Sequence, residues 1–306
     1  MHPWLTIATI APAVTAGPSA DWWTGALATA IAVAAARALA RVRGTTLAAP
    51  AAWAVVAALF LAGVEFVLVW RGGQTSGLAA TTARYASAVV TLCPLMAVLG
   101  AKRPQDRGWQ WIVLSLWIVL LVPAGQAWAA RGNAPMDLAP LWRLLLIGLA
   151  SLSMTTYLPT RFFFAAFLTA IGQTLLLSEF VFERPSATDR DIGICVIFLA
   201  AVVASWQAAA ETSTDQATLG QFSTRWLAFR NGWGAFWALR IMNRINETAQ
   251  LSNWPVRLEW SGFCSTSDGD APEIDERIAA HIDQTMDSLL RRFECTNKST
   301  SPSDPN

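Results

Sequence analysis

Histidine is nearly absent from this chain: His2 and His281 are the only two in 306 residues. Haem held between membrane helices uses intramembrane histidine, and a Ser-His protease needs one as its base. Both chemistries are therefore excluded. Lysine is equally scarce, with Lys102 and Lys298 alone. Neither lies in an apolar run, so a retinal Schiff base has no anchor. Charged residues make up 14% of the chain, against roughly 25% in soluble domains. The four cysteines, Cys93, Cys195, Cys264 and Cys295, form no C-x-x-C pair and no Cys/His cluster. That spacing suggests free thiols, with neither a zinc site nor a disulfide framework. No Walker loop and no G-x-G-x-x-G occurs, so nucleotide binding has no support. No cofactor and no metal is expected. His281 has Arg277 four residues before it and Asp283 and Asp287 nearby; it reads as a solvated or partly packed side chain.

What the chain has in abundance is apolar sequence, 54% of its residues. A membrane-spanning helix needs about 20 mostly apolar residues. Seven stretches qualify, at 22–40, 51–70, 85–101, 110–128, 139–158, 162–178 and 191–208. The expected fold is an all-α polytopic membrane bundle of about seven transmembrane helices over residues 1–208, followed by a small C-terminal α/β cytoplasmic appendage. Pro94 and Pro123 are placed to interrupt the third and fourth spans. The first twenty residues lack Lys and Arg, unlike a secretory signal, and read as a segment that touches the membrane or leads into the first span.

Charge places the chain in the cell (inner) membrane with its N-terminus outside and its C-terminus cytoplasmic. In that frame the inner loops receive Arg41, Arg43, Lys102, Arg103, Arg107 and Arg161, in line with the positive-inside bias. The outer connections hold Arg71, Arg84, Arg131, Arg184 and Arg190, the last two among acidic residues. Tryptophans fall at the proposed ends: Trp22, Trp23, Trp70, Trp128 and Trp142 outside, Trp53, Trp109, Trp111 and Trp206 inside. Indole prefers the headgroup level. In the first span Ala26, Ala30, Ala34 and Ala38 recur every fourth residue and predict a close-packing seam.

The composition changes near residue 209. Residues 1–208 carry 13 basic and 8 acidic side chains, net +5, and residues 209–306 carry 9 and 13, net −4. An acidic tail argues against nucleic acid. Within residues 209–294 three elements are expected. Phe222, Trp226, Phe229, Trp233, Phe236 and Trp237 follow helical spacing and make one aromatic stripe. Either this stripe faces the inner membrane surface with Arg225 and Arg230 near lipid phosphates, or it packs on the rest of the tail or the bundle. Residues 254–260 alternate as a half-buried strand. A second helix is expected from Pro272 to Phe293, with Asp270 as its N-cap and Ile274, Ile278, Ile282, Met286, Leu289 and Phe293 on its apolar face. Residues 295–306 read as a disordered tail. Helix, strand and helix bury too little to be comfortably stable alone, so the tail is expected to lean on a partner or the membrane.

Intramembrane charges are the remaining pointers to function. Glu65 lies five residues before Trp70, roughly 7.5 Å below the outer interface, and Arg143 lies about 6 Å below it. An ion pair between them is the leading expectation, with Arg84 as the alternative partner, or a Glu65 that is protonated or reaches water. The function expected is a non-enzymatic membrane scaffold or assembly component. Its contacts would be the lipid bilayer and a membrane or cytoplasmic protein recruited by the tail. The alternative is a small-solute transporter using the Glu/Arg pair.

Overall fold

The computed structural model describes residues 22–72, 77–102, 106–130, 136–182, 186, 188–210, 218–266 and 275–293. The N-terminal segment, the Asp270 cap, Ile274, Cys295 and the tail at 295–306 lie outside the described residues.

Among the described residues nine helices build the apolar part: α1 (Trp22–Arg41), α2 (Ala48–Trp70), α3 (Leu78–Val90), α4 (Cys93–Leu99), α5 (Asp106–Leu120), α6 (Val122–Ala129), α7 (Pro140–Tyr157), α8 (Phe163–Val181) and α9 (Asp189–Ala209). Among the described residues six stretches are long and apolar enough to cross a membrane: α1, α2, Leu78–Leu99, Gly108–Ala129, α8 and α9. The stretch expected as a fifth span is α7, an 18-residue helix outside that set. It carries Arg143 and a C-terminal half rich in Ser and Thr. Trp22, Trp70, Trp111, Trp128 and Trp206, at or near helix ends, are exposed.

The third and fourth stretches are each broken, at Thr91–Leu92 and at Leu121. Pro94 and Pro123 stand at the start of the second segments. Proline removes a helical donor and its ring clashes with the carbonyl one turn back. A backbone carbonyl at each break is met by a buried side chain. Tyr85 Oη donates to Leu120 O at 2.8 Å, and Gln173 Nε2 donates to Thr91 O at 2.8 Å. In a lipid-immersed fold such repair is obligatory.

The seam in α1 lies elsewhere than the alanine spacing suggested. Ala26 and Ala38 are exposed, and the buried residues are Thr24, Gly25, Ala28, Ile31 and Ala32. Alanine fits either face, so the contact chosen by Thr24 and Gly25 against α2 sets the rotation of the helix. The α8 and α9 backbones approach closely. A Cβ on Gly172 would sit 2.5 Å from Ile197 Cγ1 and 3.0 Å from the Gly193 carbonyl oxygen.

The tail comprises α10 (Thr218–Leu251), β1 (Val256–Glu259), β2 (Gly262–Ser265) and α11 (Glu276–Leu290). β1 and β2 form an antiparallel hairpin with Glu259 opposite Gly262, where one strand was expected. The second strand has four residues and too little alternation to be read. Gly262 has φ +136°, and a Cβ there would lie 2.7 Å from Ser223 Oγ. α11 begins at Glu276, after Asp275, later than Pro272. Ile282, Met286 and Leu290 form its buried face.

Candidate functional site

Glu65 is 6% exposed, one turn and a residue before the end of α2. Its partner is Arg190, in the first turn of α9 and 9% exposed. Arg190 Nε and Nη2 both donate to Glu65 Oε1, at 2.8 and 2.6 Å. Thr24 Oγ1 of α1 donates to the other carboxylate oxygen at 3.1 Å. Arg190 Nη2 also donates to Ser87 Oγ of α3 at 3.0 Å, and that hydroxyl in turn donates to the Arg84 carbonyl at 2.8 Å. Four helices therefore meet at one ion pair. Ionised groups in a dry layer are tolerable only when paired and hydrogen-bonded. Glu65 satisfies that condition.

The expected pairing with Arg143 is not formed. Arg143 Nη2 donates to Asp137 Oδ1 at 2.6 Å, and its Nε donates to Leu138 O at 2.9 Å. It ties the entry of α7 to its own preceding turn, because Asp137 is six residues away and exposed. Arg84 is also taken elsewhere: its Nη1 lies 3.9 Å from Glu179 Oε2 on α8. Matching depth is necessary for a pair but says nothing about which helices are neighbours. α2 packs on α1, and α1 on α9, and that adjacency brings Arg190 within reach. The sequence placed Arg190 in a loop among acidic residues. A usable signal was its position one residue into a helix start, where the side chain can turn inward while Asp189 stays outside.

At the opposite end of the bundle, hereafter the tail side, the aromatic stripe of α10 is divided between two jobs. Phe222, Trp226 and Phe229 are buried in a core shared with Trp254, Leu258, Ile282 and Met286. Trp226 has no exposed surface. Trp237 shares that core and Trp233 packs on it, and both also bind the bundle. Trp233 Nε1 donates to Thr46 Oγ1 at 3.1 Å, and Trp237 Nε1 donates to Val98 O at 3.1 Å. Thr46 Oγ1 lies 2.8 Å from Ala101 O, and its backbone N–H donates to Phe293 O at 3.0 Å. Phe236 alone of the stripe is exposed. The packing alternative thus describes most of the stripe.

Further bonds lock the tail in place. Tyr157 Oη donates to Gly232 O at 3.2 Å, and Trp260 Nε1 donates to Pro159 O at 2.7 Å. Gly234, at φ +74°, breaks α10 where a Cβ would strike Thr156, 2.8 Å from its Cγ2 and 2.9 Å from its carbonyl oxygen. The kink lets the chain turn directly beneath α7. Arg230 donates to Trp260 O at 2.7 Å and stacks over the Trp260 ring at 5.2 Å; burial lowers its pKa from the ordinary arginine value. Arg225 bridges α10 to α11 through Asp283 at 3.3 Å and Asp287 at 2.6 Å. Neither arginine is left free for lipid phosphate. His281 accepts from Trp254 Nε1 at 3.4 Å.

Among the described residues no three His, Cys, Asp or Glu side chains converge as a metal site, and Cys93, Cys195 and Cys264 are free thiols. The chain matches no family model, and neither the curated proteins nor the solved structures include one similar to it.

Proposed function

We propose that this chain is a non-enzymatic membrane scaffold: a bundle that holds a folded cytoplasmic module against the membrane for a protein partner. In this reading α7 crosses with the six apolar stretches to give seven spans. The N-terminus lies outside, the C-terminus is cytoplasmic, and the membrane is the cell (inner) membrane. The observation that carries the proposal is the Glu65–Arg190 cluster, in which both carboxylate oxygens are taken by two partner helices, α1 and α9, while Arg190 Nη1 is left without a partner among the described residues. The docked tail adds to it, because its position is set by hydrogen bonds to two connections of the bundle and to the end of α4.

A small-solute transporter is the second reading. It is favoured by the two proline-broken stretches, since carriers bind solutes at discontinuous helices. Here Tyr85 and Gln173 already cover a carbonyl at each break, which weighs for the scaffold. Native electrophoresis of gently solubilised membranes tests the choice. The full chain should migrate in a complex larger than its own mass. The exposed-face double variant Arg277→Glu/Gln284→Arg on α11 should migrate smaller while staying folded. A wild-type chain that migrates alone, together with a solute flux in proteoliposomes abolished by Glu65→Gln, would overturn the scaffold reading.

A further inference from the structure

The tail side carries a second charged feature, distinct from the scaffold argument. Lys102 follows the end of α4, and its Nζ lies 5.6 Å from the centre of the Trp237 ring. That ring is bracketed by Phe293 at 5.4 Å and Phe236 at 5.1 Å. Arg240 stands one turn beyond Trp237 on α10, Arg244 one turn further, and Arg292 immediately precedes Phe293. Lys102 thus lies over the indole, and arginines from two further elements stand near enough to repel it. Among the described residues the ion pair formed by this group is Arg244 with Glu247, at 2.9 Å. Lys102, Arg240 and Arg292 form none. Burial, followed by repulsion from Arg292, Arg240 and Arg244, lowers the Lys102 pKa from the ordinary lysine value.

Like charges this close repel one another unless an anion joins them. The surroundings indicate which anion. Lys102 sits three residues past an apolar stretch that is long enough to cross a membrane, so the cluster is at headgroup depth. On α10, Phe236 and Leu239 are exposed directly before Arg240, and Phe236 lies one turn from it on the same helical face. Apolar side chains leading into arginines suit a surface with acyl chains beneath phosphates. A soluble phosphate would have no use for Phe236 and Leu239.

We propose that Lys102, Arg240, Arg244 and Arg292 form a docking site for the phosphate of an anionic phospholipid in the tail-side leaflet, with Phe236 and Leu239 dipping into its acyl region. The lipid neutralises the cluster and clamps the tail to the bundle. The planar guanidinium groups of Arg240 and Arg292 give the phosphate paired donors, and Lys102 adds a point charge over the indole.

Thermal unfolding of the purified full-length chain in mild detergent, with phosphatidylglycerol or phosphatidylcholine added, tests this, alongside native mass spectrometry of retained lipid. Phosphatidylglycerol should raise the midpoint and remain bound, and phosphatidylcholine should do neither. Arg240→Gln/Arg292→Gln should bind phosphatidylglycerol about thirtyfold more weakly, from the loss of two surface cations. Both side chains are exposed, so the variant should keep wild-type tryptophan fluorescence. Arg257→Gln, an exposed tail arginine outside the cluster, should retain the full lipid response. High salt should weaken the wild-type response, which keeps the test valid should the double variant misfold. An equal midpoint rise with phosphatidylcholine, or an unchanged lipid response in the double variant, would overturn the site. A full response to inorganic phosphate alone would overturn the assignment to lipid.

Discussion

Replacing Arg190 by Met leaves the Glu65 carboxyl group without its cation and bonded to Thr24 alone, in a layer where its neighbours are apolar. Removing one member of a buried ion pair costs about 3–5 kcal/mol. The upper half of that range applies here, because Arg190 also bonds Ser87 and both side chains are nearly inaccessible. At about 2–4 °C per kcal/mol for chains of this size, Arg190→Met should lower the unfolding midpoint in detergent by about 8–20 °C. Glu65→Gln should cost less, since the amide oxygen can still accept from Arg190 and only the charge is lost. The double change Glu65→Gln/Arg190→Met removes both charges and should recover at least half of the summed loss. Arg143→Met is the control. Its partner Asp137 is largely exposed, and an exposed pair contributes about 0–1 kcal/mol. Scans at one fixed rate on the wild type and all four variants provide the cycle and its control. Additive losses at Glu65 and Arg190, or an Arg143 loss as large as that of Arg190, would refute the four-helix cluster.

Trp226→Ala empties the centre of the tail core, a loss of about 3–5 kcal/mol, and limited proteolysis of membranes should then release the tail faster while the apolar helices stay inserted. Trp233→Phe keeps the ring stacked on Phe229 at 5.0 Å and removes only the bond to Thr46, so tail release should quicken modestly, for about 0.5–1.5 kcal/mol. Tyr85→Phe strips the donor from Leu120 O at the break before α6 and should cost about 1–3 kcal/mol, read as a lower midpoint in detergent. A reporter fused after residue 210 should behave as cytoplasmic and one inserted in the 129–138 connection as external; a C-terminal reporter active only outside would refute the orientation.

Most of the helices were legible because each is a local property. An apolar run of sufficient length, ended by Pro, Gly or charge, specifies a lipid-compatible helix whatever surrounds it. The breaks at Pro94 and Pro123 belong to the same class, since proline acts on its own backbone. The helical period of the α10 stripe and the apolar face of α11 were local too. The short strand β2 escaped because four residues carry no usable period, and its pairing with β1 depends on the turn at Trp260 and Ser261.

What the tertiary structure alone decided is who touches whom. Glu65 announced by its mere presence that a compensating partner was needed, because an unpaired carboxylate in that layer is too costly. Arg143 and Arg84 met the requirement of charge and approximate depth, while Arg190 stood among the residues of an outer connection. Only the order of helices around the bundle, with α1 between α2 and α9, selected Arg190. The aromatic stripe follows the same logic. Its spacing fixed a face, but whether Trp233 and Trp237 met lipid, tail or bundle depended on where α10 docks, and Thr46 and Val98 answered that from positions more than a hundred residues away. Periodicity is written along the chain; adjacency is a property of the packed whole.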